Sequence, residues 1–164
     1  MKLRLLVSDK CNRACPGCCN NDWDLKSLPT VENFKNFSEI LLTGGEPMLS
    51  PQRIRTLITE IRKENNCPIY IYTAKVDDLQ EILSVLFFSD GITLTLHDQS
   101  DVFSFWMLNE MLPSGTKKSL NLNVFNGVVL PEGDDIDFGK WKIKTGIEWK
   151  KDCPLPEDEV FMRL

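Results

Sequence analysis

Hydrophobic and polar positions along the chain change period several times, and each change marks an element. Residues 3–7 (LRLLV) are a short apolar run closed by Ser8 and Asp9, which predicts a buried strand of the parallel type. Residues 39–43 (EILLT) and 92–96 (ITLTL) predict two more, and residues 68–73 (PIYIYT) mix β-branched with aromatic residues as a strand does. Between these runs the spacing turns helical. Ser50 and Pro51 stand in cap and first-turn positions, and Ile54, Leu57, Ile58 and Ile61 then make one apolar face that ends at Asn65 and Asn66. Asp78 with Glu81 predicts the cap of a second helix, with Leu79, Ile82, Leu83 and Leu86 inward and a stop at Ser89-Asp90-Gly91. Residues 101–112 are apolar nearly all round, which predicts a helix packed in the core or lying at an interface. Thr30 predicts the cap of a short helix through Phe37, with Phe34 and Phe37 facing inward.

Strands and helices thus alternate from residue 3 to about residue 112, the pattern of an α/β fold with a mostly parallel sheet. At 164 residues the chain predicts one domain, 1–164, long enough to bury a core without staples. A full (βα) barrel takes about 250 residues, so the expectation is a partial (βα) barrel of about five or six strands. Beyond residue 112 the signals weaken. Pro113-Ser114-Gly115 breaks the chain, and the apolar alternation of residues 120–130 is interrupted by Asn126-Gly127, a hairpin signal between apolar runs, so the region is a hairpin or one more parallel strand. An acidic turn follows over residues 132–137, and Trp141, Ile143, Ile147 and Trp149 alternate in the tail.

Composition narrows the setting. The chain is 42% hydrophobic and 26% charged, as ordinary globular proteins are. No stretch approaches the roughly 18 consecutive apolar residues of a membrane span, and the first residues hold too short an apolar run for a secretory signal. The expectation is no membrane association. The net charge of −5 argues against a nucleic-acid backbone as the main partner. Six cysteines without an export signal predict cytoplasmic localisation with thiols kept reduced. Clustered cysteines there mean a metal or catalysis before they mean disulfides.

The cluster lies in residues 9–23 (DKCNRACPGCCNNDW), where Cys11, Cys15 and Cys18 make a C-x3-C-x2-C spacing with Cys19 directly behind. Iron–sulfur clusters are held by cysteine thiolates, normally four to a cubane. Three would leave one iron open, and an open position on a metal is where substrate or cofactor binds. Cys19 is a poor fourth ligand, because adjacent residues rarely aim both thiolates at one centre. Pro16 and Gly17 let the backbone turn sharply between the second and third cysteines. The alternatives are a zinc knuckle, which would want a second ligand pair, and a Cys15–Cys18 redox dithiol, which leaves Cys11 unexplained. Cys67 and Cys153 are lone and read as a packed thiol and a free thiol. Asp9, Asn12 and Arg13 read as residues that shape the loop.

A second motif, Gly44-Gly45-Glu46-Pro47, ends the second strand. Its glycines permit close backbone approach and positive φ, and Glu46 offers a carboxylate and backbone carbonyls to a cation. A plain strand-to-helix turn is the alternative. Thr73 and His97 end the third and fourth strands on the same edge. His97 is a candidate to hydrogen-bond a ligand or to serve as acid–base near neutral pH; the alternative is a residue that only caps its turn.

C-x3-C-x2-C just after an N-terminal strand resembles the signature of the radical S-adenosylmethionine (radical SAM) superfamily. Cys11-Asn-Arg-Ala-Cys-Pro-Gly-Cys18 followed by Asn20 looks most like the activating enzyme of the anaerobic ribonucleotide reductase, although Cys19 replaces an often aromatic residue. Residues 44–47 match the family's GGE motif, and YTAKVDDLQEIL is similar to a W-T-G-Y-x-L-D-E-L stretch of those enzymes. Val128-Val129-Leu130-Pro131 resembles a late barrel strand of the pyruvate formate-lyase activating enzyme. The resemblance covers about residues 1–100 and fades beyond.

It implies a radical SAM type of partial barrel and a [4Fe-4S] cluster on Cys11, Cys15 and Cys18. S-adenosyl-L-methionine would be held through Gly44, Gly45, Glu46 and Pro47, with Thr73 and His97 in contact. It also implies an electron donor of flavodoxin or ferredoxin type. The implied activity is reductive cleavage of SAM to a 5′-deoxyadenosyl radical that abstracts hydrogen, as an oxidoreductase activating a glycyl-radical protein. A small-molecule enzyme of the 7-carboxy-7-deazaguanine synthase kind and a non-enzymatic iron–sulfur or zinc module are the alternatives.

Overall fold

The computed structural model describes residues 1–132, 137–149 and 154–164. Seven strands form its sheet: β1 (Lys2–Leu6), β2 (Glu39–Thr43), β3 (Ile69–Thr73), β4 (Gly91–Leu96), β5 (Ser119–Phe125), β6 (Lys142–Ile147) and β7 (Glu159–Arg163). Their order is β6-β5-β4-β3-β2-β1-β7, and every neighbouring pair is parallel. Helices α1 (Pro51–Glu64), α2 (Leu79–Phe88) and α3 (Asp101–Met111) make the crossovers from β2 to β3, β3 to β4 and β4 to β5. Right-handed crossovers that advance one way along a sheet place their helices on one face. The α/β class is as expected and the arrangement is compatible with a partial barrel. The sheet exceeds the expected five or six strands because β6 and β7 extend it at both edges.

Alternation along the strands explains the layering. Leu3, Leu5, Ile40, Leu42, Ile69, Ile71, Ile92, Leu94, Leu120 and Leu122 pack against Ile54, Ile58 and Ile61 of α1, Ile82 and Val85 of α2, and Phe105 and Leu108 of α3. Strands buried on both faces would read as unbroken apolar runs. Here the intervening positions are Arg4, Thr43, Tyr72, Thr95, Asn121 and Asn123, so the opposite face is largely polar. A small second cluster of Leu6, Leu28 and Phe161, with Trp23 edge-on to Phe161 at 5.4 Å, covers that face near β1 and β7.

Helix ends follow local chemistry in part. The Asp78 carboxylate accepts the Glu81 N–H at 3.1 Å and caps α2 as expected. Ser50 precedes α1, but its side chain makes no capping hydrogen bond. The α3 carbonyls of Asn109 and Leu112 are met by Lys140 Nζ at 2.7 and 2.8 Å, which ties the β5–β6 connection to that helix.

Three expectations fail. Residues 30–37 form no helix, because partners outside the segment take their backbone groups. The Glu64 carboxylate accepts the Phe34 N–H, the Asn65 amide donates to the Phe34 and Phe37 carbonyls, and Thr30 bridges to Arg163. Asn126-Gly127 closes no hairpin, since β5 and β6 are parallel. Gly127, at φ +86°, serves a turn that starts a long crossover. Residues 128–131 form no strand; Val129 is instead pinned by Gln99 through two hydrogen bonds of 2.8 and 2.9 Å. The expected acidic turn lies mostly outside the described residues.

Leu94 is fully buried at the middle of β4. Leu94→Ala is expected to cost about 3 kcal/mol of unfolding free energy, measured by urea denaturation. A loss below about 1 kcal/mol would place β4 outside the packed core.

Candidate functional site

The carboxyl edge of the sheet carries a cavity of about 330 Å³, within the roughly 300–1,000 Å³ of small-molecule sites. Its walls come from the loop after β1 and from the ends of β2 through β6. Cys11, Cys15, Cys18, Gly44, Gly45, Glu46, Thr73 and His97 all line it, so residues far apart in sequence share one chamber. Pro47 does not. It is buried behind the chamber and lines a small separate cavity beside Val7 and Ile54.

The cysteine loop is fastened at both ends. Arg13 donates to Asp98 at 2.9 Å, to Asp101 at 2.6 Å and to the Ala74 carbonyl at 3.2 Å. Asp101 is buried, and its other oxygen accepts the N–H groups of His97 and Asp98. Asn20 donates to the Gly44 carbonyl at 2.7 Å, joining the end of the loop to the glycine motif. Between these anchors, the Cys18 N–H to Cys15 carbonyl bond (3.3 Å) and the Asn21 N–H to Cys18 carbonyl bond (2.9 Å) wind the chain tightly. A Cβ at Gly17 would collide with the Trp149 side chain, so this glycine is where the loop meets the segment after β6.

Cys11, Cys15 and Cys18 are free thiols, the first exposed and the others half-buried. Burial pushes the Cys15 thiol up, and the neighbouring charges of Cys18 and Cys11 push it the same way. Cys18 and Cys11 therefore lie within electrostatic reach of Cys15. Among the described residues, no group of three or more His, Cys, Asp and Glu is arranged to hold a metal ion. Cys19 is disulfide-bonded, so the expectation of reduced thiols fails at that residue. Cys67 is a half-buried free thiol packed against the core, as expected. Cys153 lies outside the described residues.

The glycine motif is packed against the cysteine loop. Gly44 has φ +145°, and a Cβ on Gly44 or Gly45 would strike the Ser8 or Lys10 carbonyl. The Gly45 N–H donates to Ser8 at 2.7 Å and the Glu46 N–H to Lys10 at 2.8 Å. Glu46 is only 3% exposed. Its carboxylate accepts the Met48 N–H (2.9 Å), the Thr73 hydroxyl (2.5 Å) and the Ala74 N–H (2.9 Å). The Thr73 hydroxyl in turn accepts the Lys75 N–H at 3.0 Å. Both side chains line the chamber and are bonded to each other. The carboxylate braces β2 to β3.

His97 stands in an aromatic wall. Its ring stacks on Trp149 at 5.0 Å and 7°, and Phe125 lies 4.4 Å from each. Its Nδ1 is buried without a hydrogen-bond partner. Burial and then the Arg13 charge hold its pKa below the ordinary value, so the fold favours neutral imidazole.

No family model, no curated protein and no solved structure matches this chain. Sequence reasoning misses Trp149, Phe125 and Tyr72 as chamber residues, and also Thr95 and Asn123. The signal for the last two is present as the polar positions of the alternations ITLTL and SLNLNVF. Trp149 carries no local signal, because only the tertiary contact with Gly17 and His97 brings it to the mouth.

Glu46→Gln leaves one of three donors facing an amide N–H₂, and is expected to cost about 1–3 kcal/mol in urea unfolding. An unchanged midpoint would contradict the brace. For His97, the unfolded ring titrates near about pH 6.5 and the folded one lower. The unfolded state thus binds more protons between the two values. This contribution to stability is full above about pH 6.5 and is lost as the pH falls from there toward the folded pKa. His97→Phe is expected to flatten stability against pH across that window; equal slopes would refute it.

Proposed function

We propose that the chain is a radical SAM enzyme, with a [4Fe-4S] cluster held by Cys11, Cys15 and Cys18 and SAM bound in the adjoining chamber. One observation carries this. Three free thiols at the C-x3-C-x2-C spacing share a ligand-sized chamber with the Gly44–Gly45–Glu46 backbone, at the carboxyl edge of a parallel sheet. The donor set fits the cofactor. A single zinc draws every sulfur to about 2.3 Å from one point, whereas a cubane takes each thiolate on a separate iron. The Arg13 backbone N–H donates to the Cys11 sulfur at 3.4 Å and orients it.

The chemistry supplied by the bound cluster and SAM is one-electron cleavage of SAM to methionine and a 5′-deoxyadenosyl radical, which takes hydrogen from a substrate. The chain's own part is placement. Arg13 and Asn20 fix the thiol loop against β4 and the glycine motif. Gly44 and Gly45 let the end of β2 pack onto the backbone of Ser8 and Lys10, where a side chain would collide, and they line the chamber. Neutral His97 presents an unpaired ring nitrogen, and Trp149 with Phe125 limits water at the mouth. Asn20, the residue that ends the activase-like motif, bonds to Gly44 and so couples the two signature loops. An activase acting on a glycyl-radical protein is the reading taken at the level of substrate, on the Cys15-Pro-Gly-Cys18 motif followed by Asn20. No helix among the described residues is long and apolar enough to cross a membrane.

The test is anaerobic reconstitution with iron and sulfide, then dithionite and SAM, with 5′-deoxyadenosine measured by chromatography. Wild type is expected to form it and Cys15→Ala to form none. A cluster without product would indicate an electron-transfer or binding module, and no cluster would return the thiols to zinc.

A further inference from the structure

Resting on the function proposed above, which requires an electron from outside, we propose that the cleft lined by Lys10, Lys26, Arg53 and Arg163 is the docking surface for an acidic electron carrier of flavodoxin type. The four cations come from three parts of the chain: Lys10 and Lys26 from the connection between β1 and β2, Arg53 from the first turn of α1 and Arg163 from the end of β7. All four are exposed, and one carboxylate side chain, Asp9, shares the cleft with them. In a chain of net charge −5 this is a local reversal of sign.

These cations also stand apart from the ion pairs of the described residues. Seven others, from Lys2 to Lys75, form ion pairs. Among the described residues, none of the four cleft cations is in one. The Arg163 Nε donates to the Leu28 carbonyl at 3.1 Å, which holds its side chain in place without neutralising it. Ser50, whose hydroxyl caps nothing, also lines the cleft, so the positive end of the 14-residue helix α1 adds to the same field.

Position supplies the purpose. Lys10 directly precedes Cys11, and consecutive Cα atoms are about 3.8 Å apart. The Lys10 carbonyl accepts the Glu46 N–H, so the cleft backs onto the chamber wall. A partner seated there touches the residue next to Cys11, and the cleft and the chamber share no lining residue. Opposed charge would steer such a partner into place and raise the association rate.

The experiment measures binding of a purified flavodoxin to the full chain by calorimetry. It compares wild type with Lys26→Glu/Arg53→Glu and with Lys35→Glu/Lys117→Glu, which makes the same change in net charge on exposed residues elsewhere. The cleft variant is expected to bind at least about tenfold more weakly and the control like wild type. Wild-type affinity should fall between about 10 mM and about 100 mM salt, as the screening length shrinks from about 30 Å to about 10 Å. 5′-Deoxyadenosine is then measured with either reduced flavodoxin or dithionite as the electron source. Loss of product in the cleft variant with flavodoxin alone supports the docking surface. Equal binding by all three proteins, no binding by wild type, or preference of the cleft for a DNA oligonucleotide would overturn it. Absence of product with dithionite in wild type would instead overturn the function on which it rests.

Discussion

A carboxylate taken out of water must find hydrogen-bond donors for both oxygens, or it loses its charge or unfolds its surroundings. Glu46 meets that demand with the Met48 N–H, the Thr73 hydroxyl and the Ala74 N–H, and so clamps the ends of β2 and β3 together. The Ala74 carbonyl then receives Arg13, and Arg13 reaches Asp101 at the start of α3, whose second oxygen holds the His97 N–H. A continuous set of hydrogen bonds thus crosses the carboxyl edge from β2 to β4. The cysteine loop hangs from it at Arg13 and is held at its other end by Asn20. A loop of this kind has little apolar surface with which to fix itself, and charged partners supply the rigidity that packing does not.

The same arrangement decides which groups remain for a ligand. The two acidic partners of Arg13 and the Glu46 carboxylate are engaged, so the chamber offers thiols, backbone atoms and an aromatic wall more than free charge. Such a lining suits a ligand that brings its own charges and is oriented by shape and a few polar contacts.

Periodicity made most of the architecture legible. Residues 39–43, the helix after Ser50 and the helix after Asp78 follow from spacing alone, because each buries one face against the sheet. Residues 30–37 mislead for a physical reason: Thr30 and two phenylalanines mimic a capped amphipathic turn, yet Glu64 and Asn65 take up the backbone. Asn126-Gly127 misleads likewise, since a turn at Gly127 does not say whether the next strand comes back beside β5 or crosses over to run parallel with it. In the site, the cysteines and the glycine motif were legible as neighbours, but not the direction of Glu46. A carboxylate in a motif looks available until the donors around it are known. Thr73 stands at the chamber as its position at a strand end implies, and its bond to Glu46 is a tertiary contact that no local pattern announces.

The one-sided layering of the sheet has an evolutionary consequence. Odd and even positions of β4 and β5 answer to separate demands: Ile92, Leu94, Leu120 and Leu122 hold the protein together, while Thr95 and Asn123 border the chamber. Substitutions in the second set leave the first untouched, so new ligand preferences can arise by drift without a toll on foldedness. A small chain built this way can diversify its chemistry one alternate residue at a time.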